Sequence, residues 1–265
     1  MPIATMAAMI LTLTSPLQST PTGEQPAPTS APATGFLFKT LTLGTEKYAY
    51  CVWVPPEYAG DKAWPVILSL HGSGERGSDG MLQTEVGIGT AIRRNRRIAQ
   101  AIVVMPQCRG DRLWTGDMAE MALKCVEQES REYHLDQDRI YLTGLSLGGH
   151  GAWTIGAKLS HQIAAVVPIC GFWTMPQTPL QAAQFKSEIA SLAKVPIWAF
   201  HGRLDKSVPA ERTRELVEAV KQAGGNVRYT EFADGEHVVW DRVYQDPEVW
   251  KWMFAQRRKA ESKSP

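Results

Sequence analysis

Nowhere do the 265 residues of this chain hold the roughly 20 consecutive apolar side chains that a membrane-crossing helix needs. An excess of one charge is missing too. Twenty-eight Lys and Arg stand against 27 Asp and Glu, a formal net charge of +1, so no global field draws the chain to nucleic acid or to an anionic membrane. The one local exception, Arg93, Arg94, Arg96 and Arg97, reads as a solvated helix face. Cysteine is scarce, and Cys51, Cys108, Cys125 and Cys170 show neither CxxC spacing nor a histidine pairing. That argues against a zinc site, and neither a metal nor a cofactor is expected. The four read as buried small hydrophobes; an exported chain would permit one or two disulfides, with the connectivity open.

Hydrophobic residues make up 44% and charged residues 21% of the chain, a balance that supports a packed globular core. Residues 1–35 stand apart from it. Residues 4–13 form a short apolar run like the apolar core of a signal peptide, although no basic residue precedes it, and residues 14–34 are dominated by Pro, Thr, Ser, Ala and Gln, as in a flexible linker. Export to a periplasm or the exterior is the expectation, with a disordered cytosolic tail as the alternative. Residues 36–258 read as one domain and 259–265 as a polar tail.

Within that domain, strand-like and helix-like segments alternate. Residues 48–54, 65–70, 101–105, 140–143, 164–169, 195–200 and 227–232 are apolar runs rich in β-branched or aromatic residues and bounded by Gly, Pro or His-Gly. Helical spacing marks 81–97 weakly, then a segment beginning at Asp117, then 147–159, 209–223 and 247–257. The pattern predicts an α/β fold, a mostly parallel sheet with helices on both faces. Such sheets place ligands at the carboxyl ends of their strands.

The sequence after the fourth of the buried runs is Gly144-Leu145-Ser146-Leu147-Gly148-Gly149, a G-x-S-x-G match in strand-turn-helix context. Ser146 is the candidate nucleophile, and the Leu147 amide at the following helix start is a candidate oxyanion donor. His71-Gly72-Ser73-Gly74-Glu75-Arg76-Gly77 follows an earlier strand, where the amide of Ser73, or next to it Gly74, can supply the second donor. The order Ser, acid, His points to Asp205, in the loop after the strand ending near Phe200, ahead of Glu231, Asp234 and Glu236. Of six histidines only His237 follows the last strand, placing it to take the Ser146 proton while Asp205 holds its other nitrogen. His71 and His201 read as turn histidines bonded to backbone, and His134, His150 and His161 as structural or surface residues. Trp114 and Trp173 follow two strands on the same side and are expected to line the pocket.

These motifs, with Pro106-Gln107-Cys108, resemble the α/β-hydrolase superfamily over residues 37–254. More narrowly they resemble the group of phospholipase/carboxylesterase-type enzymes, dienelactone hydrolases and esterase-like relatives of prolyl oligopeptidase, and also feruloyl and acetyl-xylan esterases. Ser146 departs from the usual cysteine of dienelactone hydrolases, and the chain has no room for a propeller domain. The resemblance implies a serine esterase with little or no cap domain, acting on a small or carbohydrate-linked ester of acetyl or feruloyl type. A small peptidase or thioesterase is the enzymatic alternative, and a non-catalytic binding protein on the same fold the other. Residues 174–194 are the one candidate lid, short enough to leave an open pocket. Oligomeric state is not legible.

Overall fold

The computed structural model describes residues 32–258; the signal-like run, the linker up to residue 31 and the tail lie outside the described residues. In chain order the elements are β1 (Gly35–Leu43), β2 (Glu46–Val54), β3 (Trp64–Leu70), α1 (Ile88–Arg94), β4 (Ile102–Pro106), α2 (Gly116–Glu129), β5 (Leu135–Leu145), α3 (Leu147–Lys158), β6 (Ala165–Ile169), α4 (Pro179–Leu192), β7 (Ile197–Gly202), α5 (Glu211–Gln222), β8 (Val227–Phe232), α6 (Trp240–Gln245) and α7 (Pro247–Phe254).

The strands form one sheet in the order β1-β2-β4-β3-β5-β6-β7-β8. From β3 to β8 the pairings are parallel, whereas β1 pairs with β2, and β2 with β4, antiparallel. β3, β4, β6 and β7 are buried at every residue, as strands covered on both faces must be. Alternate side chains feed two apolar layers. Val66, Leu68 and Leu70 join α2, α3, α4 and α5 on one side. Ile67, Val103 and Met105 join α1, α6 and α7 on the other. Because β3 lies between β4 and β5, the crossovers after β3 and after β4 run in opposite directions along the sheet, which makes the carboxyl ends of β3 and β5 the switch point where such sheets place ligands. Among the described residues no helix is long and apolar enough to cross a membrane.

Three segments depart from the sequence-based reading. β1 did not register as a strand because Lys39, Thr40 and Thr42 leave its apolar pattern broken, and its burial is only partial. Residues 81–97 are a 3-10 turn, Leu82–Thr84, followed by the shorter α1. Residues 174–194 contain α4, started by a capping box in which the Thr178 side chain accepts from the Gln181 amide and Pro179 opens the first turn.

The antiparallel hairpin is tied to α2 by a buried charge. Glu129 is fully buried; Lys39 Nζ donates to its Oε2 at 2.9 Å and Tyr50 Oη to its Oε1 at 2.7 Å. Glu129→Ala leaves Lys39 its second partner, Glu132 at 2.7 Å, but strands the buried Tyr50 hydroxyl, and is expected to cost about 2 kcal/mol, read as a lowered urea midpoint.

Candidate active site

At the end of β5 the chain turns into α3 through Ser146, whose φ is +52°. A residue with a side chain holds that conformation only when its surroundings impose it. A β-carbon at Gly144 would collide with the Gly148 carbonyl, and one at Gly148 with the Leu70 carbonyl at the end of β3. The absent side chains let α3 begin hard against the sheet. Ser146 N–H donates to the Ile169 carbonyl at 2.8 Å and its own carbonyl accepts from His150 N–H at 3.0 Å, so the turn is fixed on both sides.

Ser146 Oγ lies 2.9 Å from His237 Nε2, and His237 Nδ1 lies 2.6 Å from Asp205 Oδ2. An ionised carboxylate only accepts, so Nδ1 carries the hydrogen and Nε2 turns its lone pair to the serine hydroxyl. Asp205 Oδ1 accepts from the Ser207 and Val208 amides at 2.8 and 2.9 Å. Burial by itself would raise the Asp205 carboxyl; the hydrogen bonds from His237 and from these two amides outweigh it and hold the group below the usual carboxylate range. The edge of His237 faces the Trp240 ring at 5.4 Å and 87°.

The loop after β3 runs alongside. A methyl group at Gly72 would lie 3.6 Å from Ser146 Cβ, and Ser73 and Gly74 belong to the 3-10 turn Ser73–Glu75 that follows. Leu147 is the first residue of α3, where an amide has no acceptor within its own helix. His71 secures the loop. Its Nε2 accepts from Cys108 N–H at 2.9 Å, which leaves Nδ1 to donate to the Gly72 carbonyl at 2.6 Å. Burial pushes this ring down to about 4, so it is neutral at pH 7. Gln107 braces the same loop, donating to the Glu75 carbonyl at 3.0 Å and accepting from Gly80 N–H at 2.6 Å. The Pro106-Gln107-Cys108 motif thus holds the glycine turn in place.

The profile of the phospholipase/carboxylesterase family matches residues 109–248, more than half of the chain, and that span contains Ser146, Asp205 and His237. The chain belongs to this family. A solved structure described as a thermostable esterase is 30% identical with a TM-score of 0.74; the match covers 84% of this chain and 63% of that one. The chain therefore spans less than two thirds of that relative's length. A ferulic acid esterase matches at 20% identity and TM-score 0.65, over 82% of this chain and 97% of its own. A feruloyl esterase module from Clostridium thermocellum, complexed with sinapinate, matches at 17% and 0.65, over 91% and 96%. These likenesses place the chain in the α/β-hydrolase fold. A search of curated proteins returns no match.

Within this family member the two tryptophans part company. Trp114 is fully buried, donates Nε1–H to the His71 carbonyl at 3.0 Å and packs edge-on against the His71 ring. The expectation that it lines the pocket is corrected: a side chain with no exposed surface offers a ligand nothing, and Trp114 supports the loop after β3 from beneath. Trp173 is 9% exposed and forms one wall of a cavity of about 180 Å³ with Met175, Phe185, Gln181, Gln184 and Glu188. It follows Gly171, whose backbone lies against Gly149 in the first turn of α3.

His201 is also corrected. The expected backbone bond is there, Nε2 lying 2.9 Å from the Val208 carbonyl, but the residue sits inside β7 rather than in a turn, fully buried, and it also has side-chain partners, with Nε2 3.1 Å from Asp205 Oδ2 and Nδ1 2.7 Å from Thr213 Oγ1. Its only sequence signal was a position four residues before the acid. Cys170, with φ +48°, donates its thiol hydrogen to the His237 carbonyl at 3.2 Å, and burial pushes that thiol up to about 12. Among the described residues Cys170, His201 and Asp205 bring possible metal-ligating atoms within 4.8 Å of one another, but the carboxylate and the imidazole are engaged with each other and with protein partners. All four cysteines are free and buried.

Two outcomes follow from the packing. Gly148→Ala forces α3 off the sheet and is expected to cost about 3 kcal/mol or more, read as a lower urea midpoint together with loss of fluorophosphonate labelling at Ser146. At His71, the unfolded ring takes up a proton near pH 6.5 and the folded ring only near 4. Between those values the unfolded state holds more protons, so stability falls as pH drops through that window and levels off below it. The loss attributable to His71 is on the order of 3 kcal/mol, and the pH dependence of the urea midpoint over this range shrinks in His71→Asn.

Proposed function

We propose that the protein is a serine hydrolase that cleaves carboxylic esters through an acyl-enzyme. One observation carries the reading: the unbroken path from Ser146 Oγ through His237 to the Asp205 carboxylate, at 2.9 and 2.6 Å, at the head of a helix. As Oγ bonds to the carbonyl carbon, His237 Nε2 takes its proton. Negative charge gathering on the carbonyl oxygen faces the Leu147 amide and the Ser73 amide, with Gly74 next along the turn. The imidazolium, held by Asp205, then gives its proton to the departing alcohol, and a water molecule repeats the sequence on the acyl-enzyme.

For substrate, the reading favours a small or carbohydrate-linked ester of acetyl or feruloyl type. The cavity beside Trp173, whose lining includes none of Ser146, Asp205 and His237, sets aromatic and thioether surface next to the amides of Gln181 and Gln184 and the carboxylate of Glu188. Such a mixture suits a phenolic acyl group or a sugar ring, which bind by an apolar face and a polar edge. Two solved structures that share the fold are described as ferulic acid or feruloyl esterases.

Hydrolysis of p-nitrophenyl acetate is expected to fall by about 10³-fold or more in Ser146→Ala; equal rates in the two proteins defeat the reading. A panel of acetyl, feruloyl, thioester and amide substrates then ranks the chemistry, and a preference for thioesters or amides replaces the ester reading. Trp173→Ala is expected to raise KM about tenfold for feruloyl or sugar esters while leaving p-nitrophenyl acetate unchanged. Unaltered KM across the panel removes Trp173 from the pocket.

A further inference from the structure

Asp205 receives more than the one histidine that a serine-histidine-acid arrangement requires. Its Oδ2 is 2.6 Å from His237 Nδ1 and 3.1 Å from His201 Nε2, while its Oδ1 takes the Ser207 and Val208 amides. Every lone-pair direction of the carboxylate is thereby occupied.

The hydrogens on His201 follow from its neighbours. Nε2 faces two acceptors, Asp205 Oδ2 at 3.1 Å and the Val208 carbonyl at 2.9 Å, and a lone pair there would repel both, so Nε2 carries a hydrogen. Burial lowers the ring's affinity for a second proton. In the neutral ring Nδ1 accepts from the Thr213 hydroxyl at 2.7 Å. Thr213 Oγ1 also lies 3.1 Å from the Gly171 carbonyl, in the segment that leads to Trp173. The titratable groups facing the carboxylate are Cys170 from the end of β6, His201 from β7 and His237 from the loop after β8.

We infer that His201 is a positioning residue for hydrolysis: it clamps the Asp205 carboxylate between β7 and α5, so that Oδ2 keeps His237 aimed at Ser146. Asp205 sits in a loop, and His201 ties its Oδ2 to β7, a strand buried along its whole length. By sharing Oδ2, His201 also draws off part of the charge that the carboxylate directs at His237. The inference rests on the ester-hydrolase reading of Ser146, Asp205 and His237.

The test uses the full chain and p-nitrophenyl acetate. Wild type against Ser146→Ala comes first; equal rates there defeat the hydrolase reading itself and leave His201 out of the matter. Given turnover, His201→Leu removes the donor and is expected to lower kcat about tenfold or more with KM nearly unchanged. Its acidic limb of kcat/KM shifts, because Oδ2 has lost one of the two side-chain donors that set where it lies and how strongly it holds the imidazolium. His201→Gln, whose amide N–H can reach Oδ2 while its oxygen accepts from Thr213, restores most of the kcat and the original limb. A lost apolar contact alone would move neither the limb nor the response to glutamine. Should His201→Leu fail to fold, Thr213→Val, which leaves Nε2 facing Oδ2 but removes the Nδ1 partner that fixes the ring's angle, is expected to lower kcat by a smaller factor. Wild-type kcat and pH profile in a folded His201→Leu or Thr213→Val protein overturn the proposal.

Discussion

The Gly148 Cα lies so close to the Leu70 carbonyl that no β-carbon fits between them, and the arrangement at Ser146 depends on that approach. It lets α3 begin at the carboxyl end of β5, holds Ser146 at φ +52° and turns its side chain out over the sheet edge. A non-glycine residue in that region costs on the order of 1–2 kcal/mol, offset here by the packing of α3 across β3, β5 and β6. The same contact fixes the distance between the Leu147 amide and the loop after β3. The position of Ser146 and the shape of its surroundings are therefore one packing decision.

Around that point, rigidity comes from buried hydrogen bonds made by neutral or fully paired groups. His71 stays neutral and joins Gly72 to Cys108; Trp114 supports its backbone from below; Gln107 bridges three parts of one loop. On the other side of the serine, Asp205 stays ionised because donors surround it, at a depth where an unpaired carboxylate would take up a proton. Each bond costs little in net terms to make and much to leave unmade, which is why polar side chains this deep occur in closed sets.

Much of the sheet was legible because strands covered on both faces must be continuous apolar runs, and those of β3, β4, β6 and β7 stand out from their flanks. β1 was not legible: it lies at the sheet edge, its exposure alternates irregularly, and Lys39 along it points to a buried partner ninety residues away. α6 is six residues long, too short for a helical period to declare itself. At the candidate site, Ser146, Asp205 and His237 could be put forward together because each follows a strand in a fixed order, and strand ends are where a parallel sheet gathers its chemistry. The structure brings these three side chains into one hydrogen-bonded line.

What the sequence by itself determined was the alternation of elements, the glycine spacing around Ser146 and the order of serine, acid and histidine, since each is a property of neighbours along the chain. Tertiary structure alone decided which aromatic ring meets solvent and which carries weight, sending Trp114 into the core and leaving an edge of Trp173 at a cavity. It alone decided that His201 shares a carboxylate oxygen with His237. Both depend on the direction in which a side chain leaves the backbone and on what another element, distant in sequence, places in its path, and neither is encoded in local spacing.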